Sequence, residues 1–352
     1  MFESLKTYHV ERGLPMQNSS LSAGCKNFRT HGLMLCLALL LIPRLSWCAE
    51  VSLEKVRLAY PSRSLSALYI RIAQEKGFYH RYGLQVEAIQ VRPAVTAVAL
   101  ISGEVQYSSA VGSALSAAAK GAPLKVVSVS LTAPFFSLVA RPRYNRIQEL
   151  KGKEIGVQGN PGGTNDQVAR LVLRQGGLDP KSDLQIVYVG DPPVLYSAFS
   201  RGGRFDAIFT SLPFPVVAEQ EGFRILVNAA ETIKLAFNGL VVTEERLKTA
   251  RDQIKRMIMA DVEARRFIRK EKEATVEVIV RWLGMSRSVA QRSYELALPA
   301  FSSEPTVYRE GIRQNLEMMI QGGLPVKASD PDHYVETKLV DEIKREAESA
   351  LK

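Results

Sequence analysis

Residues 157–175 read VQGNPGGTNDQVARLVLRQ, and they predict a strand, a loop and a helix in succession. Residues 153–157 are the apolar strand, and the glycine-rich residues 159–163 are the loop. Thr164 is the predicted N-cap of a helix that ends near Gln175, before a Gly-Gly pair. Because helix N-termini carry unpaired N–H groups and glycine admits close approach, such a unit can bind a ligand oxygen. An ordinary βα turn has the same pattern, so one unit alone does not establish a site.

Strands and helices alternate on both sides of this unit. Segments with the apolar, β-branched composition of strands are 56–60, 84–91, 105–109, 124–131, 184–189, 205–210 and 224–228. The alternation predicts an α/β fold with a largely parallel sheet. From residue 244 onward the pattern is helical: 244–270, 273–282, 286–296, 307–321 and 335–351.

Length and charge limit the classes of function. A chain of 352 residues, 46% of them hydrophobic, can form two medium-sized domains with a sizeable core. The formal net charge of +10 is spread over short clusters that acidic residues interrupt. No basic stripe is interleaved with stacking aromatic residues, which argues against a nucleic-acid partner.

Residues 1–49 have the order of a secretory signal peptide. A basic region precedes the apolar run 33–42, which Pro43 ends, and small and polar residues follow. The run is too short to span a bilayer. The region before it is long, so Met1 and Met16 both remain candidate start residues.

All three cysteines, Cys25, Cys36 and Cys48, lie in this leader. Cleavage after it would leave a mature chain without disulfides or thiol chemistry. The alternative is a lipid anchor at Cys48, because residues 45–48 (LSWC) resemble a bacterial lipobox, from which Trp47 departs.

Four loops are expected at the carboxyl ends of predicted strands, where open α/β sheets bind ligands. They are 62–66, 110–113, 159–165 and 210–212. Each is rich in small hydroxyl residues or glycine and leads into a helix. Facing one another, they would offer hydroxyl and N–H groups to a small polar or anionic ligand. Helix capping alone would also explain these serines and threonines.

Signals of catalysis are weak. Dinucleotide-binding and Walker A motifs are absent, and residues 112–116 (GSALS) are not a nucleophile elbow. Outside the leader the only histidines, His80 and His333, are expected on the solvated surface. Asp166 is expected to complement the dipole of its helix. The sequence therefore predicts no catalytic residue, no metal site and no cofactor.

Several motifs in order resemble a known family. They are LYI (68–70), EKGFY (75–79), YGLQV (82–86), SGEV (102–105), GAPLKVV (121–127), LKGKEIGV (150–157) and FDA (205–207). The chain resembles, from about residue 56 to 332, periplasmic solute-binding proteins of ABC importers, of the nitrate/sulfonate/taurine and thiamine-pyrimidine (NMT1/THI5-like) family. Gln106-Tyr107 stands where the family often has Asp-Phe, which leaves the ligand subclass open.

The resemblance implies a bilobed periplasmic binding protein fold (type II), with two α/β lobes, a two-crossover hinge and a helical C-terminal part. Lobe 1 would comprise residues 50–132 and 237–352, and lobe 2 residues 133–236. The hinge would lie near 132–134 and 236–239, so that the lobes close on a ligand.

The resemblance also implies a function and a site. The residues expected to line the cleft are Ser64, Leu65, Gly112, Ser113, Gly162, Gly163, Thr164, Thr210, Ser211 and Asn238. The protein would be a monomer on the extracytoplasmic side of a membrane that delivers a small organic or anionic solute to an ABC permease and ATPase. An enzyme on the same fold (pyrimidine synthase or menaquinone-pathway dehydratase) and a sensor's binding protein remain alternatives.

Overall fold

The computed structural model describes residues 52–201 and 203–349. The predicted signal peptide (residues 1–49), the lipidation alternative at Cys48 and the two candidate start residues lie outside this part of the chain. Within the described part, no helix combines the length and the apolar composition needed to cross a bilayer.

Ten strands and fourteen helices form within the described residues. The strands are β1 (Glu54–Tyr60), β2 (Leu84–Gln90), β3 (Tyr107–Ser108), β4 (Leu124–Leu131), β5 (Phe136–Ala140), β6 (Glu154–Gln158), β7 (Gln185–Val189), β8 (Ala207–Ser211), β9 (Arg224–Asn228) and β10 (Asn238–Thr243). The helices are α1 (Leu68–Glu75), α2 (Phe78–Arg81), α3 (Pro93–Ile101), α4 (Val111–Ala119), α5 (Thr164–Gln175), α6 (Pro192–Ser200), α7 (Phe214–Gln220), α8 (Ala229–Thr232), α9 (Glu244–Thr249), α10 (Arg251–Lys270), α11 (Lys272–Leu283), α12 (Arg287–Ala297), α13 (Arg309–Gln321) and α14 (Lys338–Ser349).

The first sheet has the strand order β2-β1-β3-β10-β4. β1 pairs in parallel with β2 and β3, whereas β10 pairs antiparallel with β3 and β4. β10 enters this sheet only after the chain has completed the second one. Two separate stretches of the chain therefore build the first sheet.

The second sheet has the order β7-β6-β8-β5-β9 and repeats this pattern. β6 pairs in parallel with β7 and β8, and β5 pairs antiparallel with β8 and β9. The prediction of a largely parallel sheet is therefore confirmed for four of the five strands in each sheet, and one strand, β10 or β5, runs against them. β5 follows β4 of the first sheet after a few residues, and β10 follows the short helix α8 after the second sheet. Neither strand is preceded by the long helical crossover that a parallel neighbour requires.

Two local predictions need correction. β10 is absent from the predicted strands, because the Asn238-Gly239 pair at its start is a common turn sequence. The single helix predicted over 244–270 is two helices, α9 and α10. Ala250 separates them with a non-helical φ of −133°, and α9 buries none of its residues.

Two chain segments cross between the sheets side by side. The Phe237 N–H donates to the Leu131 carbonyl (2.9 Å), and the Leu235 N–H donates to the Thr132 carbonyl (3.1 Å). The Thr132 N–H in turn donates to the Ala300 carbonyl (2.9 Å), which connects the crossing to the helical C-terminal part. Backbone hydrogen bonds thus couple the two crossings to each other.

Aromatic rings pack around the crossings. The rings of Phe136 and Phe237 meet edge to face, with centroids 5.1 Å apart. The Phe135 ring lies 5.7 Å from that of Phe301. Such pairs stabilise a fold beyond the area they bury, so the crossing is an ordered, apolar part of the structure.

A polar cluster lies inside the core between α10 and the first helices. Asp261 and Arg265 on α10 are both fully buried. The Tyr79 hydroxyl donates to Asp261 Oδ1 (3.0 Å), and Arg265 donates to the Glu304 carbonyl (3.2 Å). Burial raises the pKa of Asp261 to about 7, although Arg265 and the Tyr79 hydrogen bond oppose the rise.

We expect Asp261→Asn to change the pH dependence of unfolding. The pKa of Asp261 is about 7 in the native protein and about 4 in an unfolded chain, so the native state binds the extra proton between these values. The free energy of unfolding of the wild type should therefore fall as pH rises through this window. Asparagine cannot ionise, so the melting temperature of the variant minus that of the wild type should rise by several degrees from pH 4 to pH 8, measured by circular dichroism.

Asp252→Asn is the matched control, since Asp252 lies on the same helix with its side chain 83% exposed. The melting temperature of this variant minus that of the wild type should change little across the same pH range. A pH-independent difference for Asp261→Asn would contradict the raised pKa.

Candidate functional site

The four predicted loops follow neighbouring parallel strands. In the first sheet, residues 61–64 and 109–110 follow β1 and β3. In the second sheet, residues 159–163 and 212–213 follow β6 and β8. Because neighbouring parallel strands end at the same edge, each sheet brings its two loops together.

The edges of the two sheets meet at Gly112 and Thr164. Gly112 lies in the first turn of α4, and Thr164 is the first residue of α5. A Cβ atom added at Gly112 would overlap Thr164 Oγ1 and would lie 3.3 Å from Thr164 Cβ. Two helix N-termini, one from each sheet, are therefore in contact, and Ser113 lies half-buried beside them.

Serines and Asn238 form one polar group at the edge of the first sheet. Ser64 Oγ lies 3.1 Å from Ser62 Oγ and 2.9 Å from Ser66 Oγ. Asn238 Nδ2 donates to the Ser66 carbonyl (3.2 Å). Ser64 and Asn238 are thus brought together through Ser66. Leu65, by contrast, is fully buried in the hydrophobic core.

The glycine loop of the second sheet has a different geometry from the predicted one. Gly163 is the N-cap of α5 and Thr164 is already helical, so the prediction of Thr164 as N-cap was wrong. Gly162 has a φ of +74°, which favours glycine, and its N–H donates to Asp166 Oδ2 (2.7 Å). The Gly163 N–H donates to the Asn160 carbonyl (3.2 Å). The Asp166 side chain, in the first turn of α5, thus accepts the hydrogen bond from this loop. Thr164 Oγ1 does not cap the helix and lies against Gly112 instead.

Asp166 is the centre of a buried polar network. Its side chain accepts hydrogen bonds from Arg170 Nε (2.6 Å) and from the Tyr188 hydroxyl (2.7 Å), in addition to the one from Gly162. Arg170 Nη2 also donates to the Tyr188 hydroxyl (2.9 Å). The expected interaction of Asp166 with the helix dipole is therefore only one part of its role.

Gln158, the last residue of β6, belongs to this site although the sequence did not predict it. Its Oε1 accepts from the Ser211 N–H (3.0 Å) and from Thr210 Oγ1 (3.4 Å), and all three residues are buried. These two hydrogen bonds use only the carboxamide oxygen of Gln158, so its nitrogen can donate to a further partner. A polar residue that ends an apolar strand directly before a glycine loop is the signal that would have indicated it.

Buried hydroxyl groups at the strand ends lack partners. Ser109 Oγ, just after β3, and Ser211 Oγ, at the end of β8, make no hydrogen bond within residues 52–201 and 203–349. A buried polar group without a partner costs about 1–3 kcal/mol. Ser128 Oγ and Ser130 Oγ on β4 also lack partners within the described residues, and a bound polar ligand would recover this free energy for the hydroxyls that it reaches.

Tyr69 lies close to the same edge. Its hydroxyl donates to the Gly239 carbonyl (3.2 Å), next to Asn238. Burial raises the pKa of Tyr69 far above its ordinary value, so the hydroxyl stays protonated and acts as a hydrogen-bond donor.

None of the ten predicted site residues carries a charge. Arg63, the only basic residue in the four predicted loops, donates to the Trp282 carbonyl. His80 and His333 are exposed, as predicted. In the described part of the chain, no group of three or more His, Asp or Glu residues is placed to hold a metal ion. The arrangement offers hydroxyl, carboxamide and backbone groups, which bind polar ligands by hydrogen bonding.

The architecture is that of a periplasmic binding protein. The structure is similar to the alkanesulfonate-binding protein SsuA from Xanthomonas axonopodis pv. citri (TM-score 0.68, 18% identity, covering 80% of this chain and 98% of that one). It is also similar to the periplasmic nitrate-binding protein NrtA from Synechocystis PCC 6803 (TM-score 0.69, 16% identity, 84% and 89% covered). The predicted fold class is therefore confirmed, and at these identities the likeness concerns the fold alone.

Residues 66–274 match the family described as NMT1/THI5 like, and the chain belongs to this family. A relative from Brucella abortus (strain 2308), named as a binding protein, is 24% identical over 269 residues. The match covers 73% of this chain and 79% of that relative. The family resemblance stated from the motifs is thus confirmed.

Gly112→Ala should reveal the contact between the two sheets. Alanine is normally about 1 kcal/mol more favourable than glycine inside a helix, but at this position its methyl group would overlap Thr164 Oγ1. The free energy of unfolding should therefore not rise in Gly112→Ala alone. In a Thr164→Ala background the same substitution should be favourable, with a coupling of about 0.5–3 kcal/mol in a double-mutant cycle measured by urea unfolding. Equal effects in both backgrounds would mean that these two residues do not meet.

Proposed function

We propose that this protein is an extracytoplasmic solute-binding protein that captures a small polar solute between two lobes and delivers it to an ABC importer. The observation that carries the proposal is the contact of Gly112 with Thr164, which joins the carboxyl edges of two sheets. The partnerless buried hydroxyls of Ser109 and Ser211 lie at the ends of strands of these same sheets. The family and the fold support the same function.

The proposed lobes are residues 50–132 with 237–352, and residues 133–236. All strands of the first sheet fall within the first lobe, and all strands of the second sheet fall within the second. The two hydrogen-bonded crossings would then be the hinge between them. Closure about two crossing segments is a common response of bilobed proteins to ligands.

We propose a ligand site with members from both lobes. Gln158 and Ser109 join the predicted residues Ser64, Gly112, Ser113, Gly163, Thr164, Thr210, Ser211 and Asn238. Leu65 and Gly162 would act indirectly, because Leu65 packs in the core and the Gly162 N–H already binds Asp166. These two residues shape the loops on which the others lie.

The proposed partners are the permease and ATPase of an importer, and the proposed location is the periplasm or the outer face of the membrane. The resemblance of residues 1–49 to a secretory signal supports export, with lipidation at Cys48 as the alternative. SsuA and NrtA are named for the solutes they bind, and NrtA is named as periplasmic. We further propose that the protein binds to the importer as a monomer. The alternative is that it delivers the solute to a sensor.

An enzyme on the same fold is the less favoured reading. The curated relative is named as a binding protein. His80 and His333 are exposed and belong to none of the four loops. Acid–base catalysis needs a titratable group within reach of the reacting atom, and the ten predicted site residues are uncharged.

Gln158→Ala is the direct test of the site. Protein purified under mild conditions from its native host should release a small solute that mass spectrometry identifies unchanged. By calorimetry, Gln158→Ala should weaken binding of that solute by about tenfold, equivalent to about 1.4 kcal/mol, because the variant loses the carboxamide and frees the Ser211 N–H. Gln220→Ala is the control, since Gln220 is an exposed residue of α7. Unchanged affinity in folded Gln158→Ala would place the solute elsewhere, and release of a chemically converted product would favour an enzyme.

Lobe closure should be visible by small-angle X-ray scattering. The recovered solute should lower the radius of gyration of the wild type as the lobes close. In Gly112→Val the larger side chain would meet Thr164, so the contact between the edges cannot form and the radius should stay high with solute present. A wild-type radius that is unchanged by solute, and equal to that of Gly112→Val, would contradict closure.

A further inference from the structure

A buried carboxylate lies directly beneath the glycine loop of the proposed site. Asp166, the third residue of α5, is only 4% exposed. Its oxygens accept hydrogen bonds from the Gly162 N–H, Arg170 Nε and the Tyr188 hydroxyl, at 2.6–2.7 Å. These contacts hold an ion pair of Asp166 with Arg170 next to the loop that approaches the first sheet.

The Asp166 carboxylate lies at the N-terminus of α5, where a bound anion would otherwise lie. Anions bind at helix N-termini because unpaired N–H groups and the helix dipole attract negative charge. In α5, Asp166 already compensates the dipole and engages the Gly162 N–H. Arg170 is paired with Asp166 and offers no separate positive charge. An anion that entered this end of the cleft would find the Gly162 N–H already engaged by a carboxylate, and the Asp166–Arg170 ion pair would offer it no net positive charge.

The other proposed ligand-binding residues supply no compensating cation. The ten predicted residues, Gln158 and Ser109 are all uncharged, and Arg63, which is not among them, keeps its charge and donates to the Trp282 carbonyl. Within the described residues, the hydroxyl Ser211 Oγ of this site is buried at the end of β8 and lacks a partner. Hydroxyl and carboxamide groups can donate and accept, so they fit the hydroxyl, carbonyl or amide groups of a neutral solute.

We propose that Asp166 is a specificity-determining residue that excludes anions, so that the cleft takes a polar solute without a net negative charge. This inference rests on the proposed function, because it concerns the solute of that same site. The proposed solute differs from those for which SsuA and NrtA are named, an alkanesulfonate and nitrate.

The test removes the charge and asks whether anion binding appears. Asp166→Asn keeps an oxygen that can accept from the Gly162 N–H but leaves the Arg170 charge unbalanced. Methanesulfonate, nitrate and sulfate are titrated at constant ionic strength, with calorimetry and thermal unfolding as readouts. We expect no saturable binding to the wild type, and binding of at least one of these anions to Asp166→Asn that is tighter by about tenfold or more.

Two further variants keep the result interpretable. Asp191→Asn makes the same change at the exposed N-cap of α6 and should gain no anion binding, which separates a local effect from a change in net charge. Asp166→Ser is the second variant, in case Asp166→Asn does not fold, and should show the same gain. A folded Asp166 variant without any gain, or saturable anion binding by the wild type, would overturn the proposal.

The charge of the solute recovered from the wild type gives an independent result. A solute without a net negative charge at neutral pH agrees with the inference, and one with a net negative charge overturns it. The failure of the proposed function looks different, since the protein would then release no solute or a chemically converted product. The anion titrations of the Asp166 variants still decide the role of Asp166 in that case.

Discussion

The antiparallel pairing of β4 with β10 is the constraint on which the architecture depends. The chain leaves the first sheet after Leu131 and returns to it at Asn238, and these two residues are partners in the ladder. A bulge follows at Gly239, where a Cβ atom would overlap the Ser128 carbonyl oxygen and lie 2.9 Å from Val129 Cα. Glycine therefore permits the close approach of the two strands. The return places Asn238 at the edge where β1 and β3 end, so the crossing and the proposed site share one piece of backbone.

Local patterns in the sequence were sufficient for the family, the alternation of elements and the four loops. Each loop is encoded by neighbouring residues, such as the glycines that separate β6 from α5. Contacts between distant residues were not predictable in this way. Nothing near Gly112 indicates that Thr164 will touch it, and nothing near Gln158 indicates that Thr210 and Ser211 will bind its carboxamide. β10 was missed for a local reason, because the turn-like Asn238-Gly239 pair precedes residues 240–243 (LVVT), which have the composition of a strand.

The buried charges of α10 support the crossing from behind. Removing a charge from water costs several kcal/mol unless hydrogen bonds compensate. Arg265 Nη1 donates to the carbonyls of Ser302 and Glu304, which compensates the charge in part, because Nε and Nη2 have no partner within the described residues. The Ser302 N–H in turn donates to the Ser130 carbonyl of β4 (3.0 Å). A fully buried arginine therefore connects the longest helix to the strand that leads into the crossing. A hydrophobic residue at this position could fill the space but could not hydrogen-bond to residues 302–304.

The contact between α4 and α5 raises an electrostatic difficulty that Asp166 resolves. Each helix N-terminus carries a partial positive charge of roughly half a unit, so two that meet should repel. The first turn of α4 contains no acidic residue, and therefore the compensation must come from α5. Asp166 supplies it in the first turn of α5, and burial between Arg170 and Tyr188 fixes its position. The same charge that lets the two helix ends approach is the one that disfavours a second negative charge between them. Asp166 thus serves both the observed contact between α4 and α5 and the proposed discrimination against anions.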